Sequence, residues 1–507
     1  MTATDPIVAL VDHALGARYE DLPPQVVATV KQAILDTAGA GLAGSTADCG
    51  RIVADMTRAH GGAPESTLWV WGDKVPAAEA AFANAIMARC RELDDVHEGS
   101  ARAGQGHGGH VNVMIVPAAL AALERLPSPL SGREFIAAIA VGGDILVRLR
   151  LAAGGAGRVG WEGPTVSPFG VAATVGRLHH LDRGTLLNAM GAAYAHCSGN
   201  VLSTSDGTWD VWLNAGMGAR AGVVAVELAR RGHRGAHSPL LGGAGLYPLY
   251  FRGEYHADAL LSGLGSDFES GAVSVKPYAA CKATHHPIYT SLALARAHRI
   301  DPASIERIVV RTSDYMMRLA GLNERGQPKY APRTINEAQF SMPFTIALAL
   351  MKGTVLPDTL TEDALADPAV LALSRKVTLT VTDAKNKLGK REGYPPVDVE
   401  IQTTDGAVWR GCELYVKGHP RNPMTFDELG EKFRRCAALS ALAIPPAVLD
   451  EFRDCVANLD SMEDVRAIPH YLVGKGEEKG HAADVVSSDA LHRASGRLSR
   501  QASVGLG

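Results

Sequence analysis

Between Asn84 and His110 the chain gathers Arg89, Glu92, Asp94, Asp95 and His97, then a glycine-rich run that ends Gly106-His107-Gly108-Gly109-His110. Groups that change charge, carried on a chain able to approach a ligand closely, are what proton transfer needs. A solvated polar loop has the same composition, and on residue types alone both readings stand. A third reading places His97, His107 and His110 with Asp94 or Asp95 around a metal ion, but their spacing matches none of the usual ligand motifs. No metal is expected.

A second cluster follows at 274–287, S-V-K-P-Y-A-A-C-K-A-T-H-H-P. Lys276 before a proline, with Tyr278, Lys282, Thr284, His285 and His286 close by, has the means to bind a carboxylate or to stabilise an enolate. A surface loop is the bland alternative. A lysine at such a junction is placed for charge rather than packing, so its replacement should leave the fold intact. At 336–344, N-E-A-Q-F-S-M-P-F reads by itself as a polar turn entering an apolar helix.

These clusters must be held by larger elements. Val26, Val27, Val30, Ile34 and Ala38 follow helical spacing over 24–42. Ser131 and Glu134 have capping-box spacing before the apolar run 135–147, so a buried helix starts near Gly132. Alanine- and glycine-rich stretches at 169–178, 186–197 and 215–229 suit closely packed helices. From about 270 the pattern changes, and 305–312, 376–383 and 397–403 read as strands. Asp405-Gly406 predicts a type I′ hairpin, and 338–352 is helical. Helix returns after Thr425 and Glu428, a second capping box. The expected fold is therefore mostly α: a large helical domain built from 1–270 and 411–470, an inserted α+β lid domain at 271–410, and a disordered tail at 471–507.

With 507 residues, 46% apolar and 21% charged, the chain can bury a large core divided between two domains. A net charge of −4 provides no basic stripe for nucleic acid and no polybasic membrane patch. The N-terminus M-T-A-T-D-P-I-V lacks a leader pattern and no run approaches about 18 apolar residues, so the protein is expected in the cytosol and off the membrane. The seven cysteines form no C-x-x-C pair, which argues against an iron–sulfur or structural zinc site.

The three clusters together resemble the MmgE/PrpD family, which includes 2-methylcitrate dehydratases, cis-aconitate decarboxylases and an iminodisuccinate epimerase. The likeness spans roughly residues 5 to 460. K-P-Y-A-A-C-K-A-T-H-H-P is similar to the family's K-P-Y-P-C-C-x-x-T-H-P. E-A-Q-F-S-M-P-F and the pair L-D-D and H-V-N-V-M-I-V-P are further ordered matches. The resemblance implies a homodimer with an all-helical domain, an α+β lid, and an active site between them that uses no metal or organic cofactor. Carried over, Lys276 is the active-site lysine, His110 the histidine after the D-D motif, and Asp94-Asp95 the acidic pair.

Several positions depart from the family pattern. Glu92 stands where the decarboxylases have aspartate, and Val96 takes the following threonine position. The histidine of G-F-H-P-T has no counterpart in 160–165 unless Glu162 substitutes for it. The lysine and histidine around L-H-A-G fall on Val211 and Asn214, and the tyrosine of S-x-P-Y is Phe344. Trp161, Trp212 and Phe344 would make the pocket more apolar and suit a larger, less anionic substrate, with Arg148, Arg158 and Lys282 as candidate replacement cations.

The resulting expectation is a lyase or isomerase that removes a proton next to a carboxylate or carbonyl of a small molecule. His110 is base or acid, Lys276 stabilises the enolate-like charge, and Glu92 or Asp95 orients His110 or relays protons. Asp94, His107, Tyr278, Lys282, His285, Phe344, Trp161 and Trp212 bind substrate. The alternative is a catalytically weak member serving as a binding or accessory protein.

Overall fold

The computed structural model describes residues 4–99, 109–154, 160–161, 163–202, 208–323, 325–392 and 394–478. The described residues up to Lys475 belong to one compact unit. The described chain is mostly α, with small sheets, and no helix among the described residues is long and apolar enough to cross a membrane.

Both capping boxes form. Ser131 and Glu134 start Gly132–Ala152, and Thr425 and Glu428 start Phe426–Ala437. Each satisfies backbone N–H groups that the first helical turn leaves without partners. The apolar spacing from residue 24 gives Pro24–Gly44, and the small-residue stretches give Ser167–Leu178, Arg183–Tyr194 and Asp210–Arg230. The last of these packs on all three of Ala77–Arg89, Ser167–Leu178 and Arg183–Tyr194.

Glycine permits these close approaches. A Cβ on Gly44 would land on the carbonyl oxygen of Met87, and one on Gly222 on the side chain of Val171. Alanine in a helix interior normally gains about 1 kcal/mol over glycine. At Gly44 the collision should outweigh that gain, and Gly44→Ala should destabilise the protein by about 1–3 kcal/mol. Urea unfolding measures this, and a higher midpoint in the variant would contradict it.

The region beyond 270 carries a four-stranded sheet in the order Val377–Val381, Ile305–Thr312, Asp398–Thr403, Val408–Gly411. The first pair is parallel and the others antiparallel. The expected hairpin at Asp405-Gly406 forms, but not with a type I′ turn. Gly406 has φ +87° and Asp405 keeps a negative φ, while Thr403 donates to Ala407 O at 3.0 Å. Only one left-handed residue is needed, as in a type I turn closed by a glycine bulge. The single helix expected over 338–352 is divided into Ile335–Gln339 and Met342–Lys352, because the Ser341 hydroxyl accepts from Phe344 N–H and starts a new helix.

Apolar side chains form two large clusters. One draws on residues 7–275 and 429–472, the other on Val96 and residues 278–401. Packed structure continues past 471, where the tail was expected to start. Leu472 is buried, Gly474 donates to Val70 O, and Lys475 donates to Ala443 O. The rest of that expectation, 479–507, lies outside the described residues.

Candidate active site

A two-stranded ribbon joins the first two polar clusters. Val96–His97 pairs antiparallel with Val273–Ser274, with Val96 opposite Ser274. Just beyond this pairing the two segments carry Asp94 and Lys276. Lys276 Nζ indeed lies 3.5 Å from Asp94 Oδ1 and donates to Glu92 Oε2 at 2.9 Å. Toward the other end, Glu98 N–H donates to Ala272 O, and the Glu98 carboxylate pairs with Lys282, whose Nζ also donates to Ser274 Oγ at 2.8 Å.

Arg89, the last residue of Ala77–Arg89, completes the network. Its Nη1 pairs with Glu92 and lies 3.4 Å from Asp94 Oδ1, and its Nη2 is 3.1 Å from His110 Nε2. On the opposite edge of the imidazole, Nδ1 is 2.6 Å from Asp94 Oδ2. A guanidinium can only donate, so Nε2 is the acceptor and the imidazole proton sits on Nδ1, donated to Asp94. Arg89, Glu92, Asp94 and Lys276 have side chains no more than 2% exposed, whereas that of His110 is 17% exposed. The group able to exchange a proton is thus the one that reaches the surface, with its orienting carboxylate sealed behind it.

Glu92 adopts φ +52°, a left-handed conformation that costs a non-glycine residue about 1–2 kcal/mol. The strain is held by contacts to its carboxylate from Arg89, Lys276 and Trp212, whose Nε1 is 3.4 Å away. Burial would raise the Glu92 and Asp94 carboxyls, but the charges of Arg89 and Lys276, and at Asp94 also the hydrogen bond with His110, outweigh it and hold both below the usual carboxylate range. Burial likewise works against the Lys276 ammonium, and Asp94 and Glu92 overcome it, so Lys276 lies above the usual lysine value. It is a fixed positive charge, not a free amine.

Several candidates take positions other than the expected ones. Orienting His110 falls to Asp94, not to Glu92 or Asp95. Asp95 accepts from the backbone N–H groups of Val111 and Asn112 and from Asn112 Nδ2, and so holds the start of Asn112–Leu123 next to His110. Burial pushes Asp95 up to about 6 despite the Asn112 donors. Lys282 is engaged by Glu98 and Ser274, at the other end of the ribbon from Lys276. His285 faces inward, with Nε2 3.0 Å from Ala280 O and the Tyr278 ring edge-on at 5.3 Å. Phe344 is buried in the second apolar cluster. Trp161 packs on Tyr250 at 4.6 Å. His97 is 3.2 Å from Glu269 through Nε2 and accepts from Gly99 N–H through Nδ1. Arg148 is no replacement cation: it binds Asp144 and the carbonyls of Leu260, Ser262, Gly263 and Asp267. His107, Arg158 and Glu162 lie outside the described residues.

Sequence reasoning placed Arg89 in the first cluster without giving it a role, and missed Lys432. Arg89 stands three residues before Glu92, a spacing that lets the two side chains meet at a helix end. Lys432, on Phe426–Ala437, donates to Leu93 O at 3.0 Å and pairs with Asp36 at 2.5 Å, which fixes the segment carrying Asp94. No local signal connects Lys432 to that segment.

The MmgE/PrpD N-terminal domain matches residues 8–258 and the MmgE/PrpD C-terminal domain matches residues 278–447. The cis-aconitate decarboxylase of Homo sapiens is 24% identical over 482 residues, covering 90% of this chain and 92% of that protein. That of Aspergillus terreus is 25% identical over 490 residues, covering 92% and 96%. The first matched domain contains Asp94, His110 and the Val96–His97 half of the ribbon, while Val273–Ser274 and Lys276 lie between the two matched domains, and the chain belongs to the MmgE/PrpD family.

Proposed function

We propose that the protein is a lyase or isomerase that transfers a proton at a carbon next to a carboxylate of a small molecule. The observation that carries this reading is the Asp94–His110 pair: an imidazole oriented through Nδ1 by a buried carboxylate, its Nε2 facing Arg89, with a second buried cation, Lys276, on the same carboxylate. His110 Nε2 takes the proton, and the bonding pair moves into the carboxylate as an enediolate. Lys276 supplies positive charge for that oxygen-centred density. Elimination of a neighbouring group, reprotonation or ring closure can follow. The named activity of the relatives favours a lyase. In the same reading, 271–410 acts as a lid over the helical part, two copies assemble as a homodimer in the cytosol, and no metal or organic cofactor takes part. Activity should then survive prolonged chelation, and a loss restored by zinc or iron would overturn that part.

The decisive experiment incubates the purified protein with small carboxylates in deuterated water. Solvent deuterium at the carbon next to the carboxylate of recovered substrate or product supports the reading. Binding without exchange favours an accessory protein.

The protein should also be a poor cis-aconitate decarboxylase and a poor 2-methylcitrate dehydratase. Both substrates carry three carboxylates, and each needs a donor when it leaves water. The cations of the network, Arg89 and Lys276, already face the carboxylates of Glu92 and Asp94, two against two. Val211 and Phe344 are buried apolar groups at positions where the family pattern has lysine and tyrosine. Losing two such donors at about 2 kcal/mol each lowers kcat/KM by roughly a thousandfold. Steady-state assays beside a cis-aconitate decarboxylase measure this, and equal efficiency would refute it.

A further inference from the structure

Arg89 touches the one atom that the proposed chemistry needs free. Its Nη2 occupies the direction of the His110 Nε2 lone pair at 3.1 Å, while its Nη1 is directed at Glu92 and Asp94. An arginine does not give up its proton, so while this contact lasts Nε2 cannot accept one from a substrate. The resting arrangement therefore holds a correctly oriented base in a blocked state.

A carboxylate is a stronger partner for a guanidinium than a neutral imidazole is, because the hydrogen bond becomes charge-assisted on both sides and can be two-pronged. A substrate carboxylate arriving past His110, the exposed member of the network, meets Arg89 immediately behind the ring. We propose that Arg89 is the residue that receives the substrate carboxylate, and that it stays on His110 Nε2 until that carboxylate draws it away. This rests on the reading of His110 as the base. It commits the substrate class to monocarboxylates, since the network of two cations and two carboxylates gains only one further partner.

The coupling also serves the chemical step. When the C–H proton passes to Nε2, an imidazolium forms beside the guanidinium, an unfavourable pair of like charges. With the carboxylate between them, the electron pair released from carbon moves onto the oxygens that Arg89 holds, and the new charges alternate in sign. Without a bound carboxylate, proton uptake at His110 has no such compensation.

The test uses full-length protein carrying 13Cε1-labelled histidine, with the His110 signal identified by its loss in His110→Asn. Propionate and phenylacetate serve as monocarboxylate probes and citrate as the tricarboxylate. In the wild type the monocarboxylates should move the His110 signal saturably and at lower concentration than citrate. In Arg89→Gln their apparent affinity should fall by about a hundredfold, the size of a lost charge-assisted contact. Arg89→Lys retains a charge facing Glu92 and Asp94, so it covers the case in which Arg89→Gln fails to fold. It should weaken the probes by about tenfold, because an ammonium lacks the fork. An unchanged response in either folded variant, or no response to any probe in the wild type, would overturn the assignment. If the probes act as expected but no carboxylate ever exchanges deuterium, the proton-transfer reading fails and the Arg89 site stands. If exchange occurs and KM is unchanged in Arg89→Lys, the opposite holds.

Discussion

Lys276→Ala should abolish turnover and also lower the unfolding free energy by about 3–5 kcal/mol, the usual result of removing one partner from a buried ion pair. The Lys276 side chain is fully buried with its ammonium on Glu92 and near Asp94. Its loss leaves two buried carboxylates to share Arg89. The expectation from sequence, that this lysine is replaceable without harm to the fold, is therefore revised: a charge sealed from water cannot be removed without uncovering its partners. The double variant Lys276→Ala/Glu92→Gln discriminates between the two roles. It removes one orphaned charge, so it should regain stability over Lys276→Ala while remaining inactive. Chemical denaturation of the single and double variants, with deuterium exchange on the best carboxylate, checks both parts. A well-folded Lys276→Ala with unchanged kcat/KM would remove Lys276 from the mechanism.

The same network sets a pH window. The Lys276 value is raised in the folded state, so its contribution is complete below the unfolded value and is lost as pH climbs through the folded one. Glu92 and Asp94 are depressed, so theirs is present above the unfolded carboxylate values and is lost as pH falls through the folded ones. The cluster should therefore support stability fully between roughly pH 5 and pH 10.

Asp94→Asn should reduce kcat/KM by about a thousandfold to ten-thousandfold, as expected when the carboxylate that fixes a catalytic imidazole becomes an amide. An asparagine amide can donate to His110 Nδ1, which would move the imidazole proton to Nε2. That nitrogen would then face Arg89 donor to donor and hold no lone pair for the substrate proton. His110→Gln should lose a similar factor, and Asp94→Asn/His110→Gln should be no worse than the poorer single variant, because residues that act as one unit are not additive. Exchange kinetics of the three proteins supply the comparison. Losses that multiply would show that Asp94 and His110 act separately.

Much of this protein could be read locally. Helix starts at Ser131 and Thr425, the strand at Ile305–Thr312 and the hairpin after residue 403 follow from short-range rules of capping, alternation and turn chemistry. The clustering of Glu92, Asp94, His110 and Lys276 as chemistry-bearing residues was also legible, because buried ionisable groups in apolar surroundings are uncommon unless they are used.

What the residues could not reveal was pairing between distant segments. By residue type alone Lys276 and Lys282 are equivalent, and only the family resemblance singled out Lys276. The way the two segments come together at the ribbon decides that Lys276 meets Asp94 and Glu92 while Lys282 meets Glu98. Likewise Asp94 and Asp95 are adjacent and chemically identical, yet one holds the imidazole and the other a helix start, because the chain bends at Asp94 just before the strand. Sequence by itself determined which residue types were present, where helices and strands begin and which segments carry charge, because those depend on neighbours within a few positions. Only the tertiary structure decided that Arg89 sits on His110 Nε2 and that Lys432 holds Leu93, since those contacts join segments 21 and 339 residues apart in the chain and depend on how helices and ribbon pack in space.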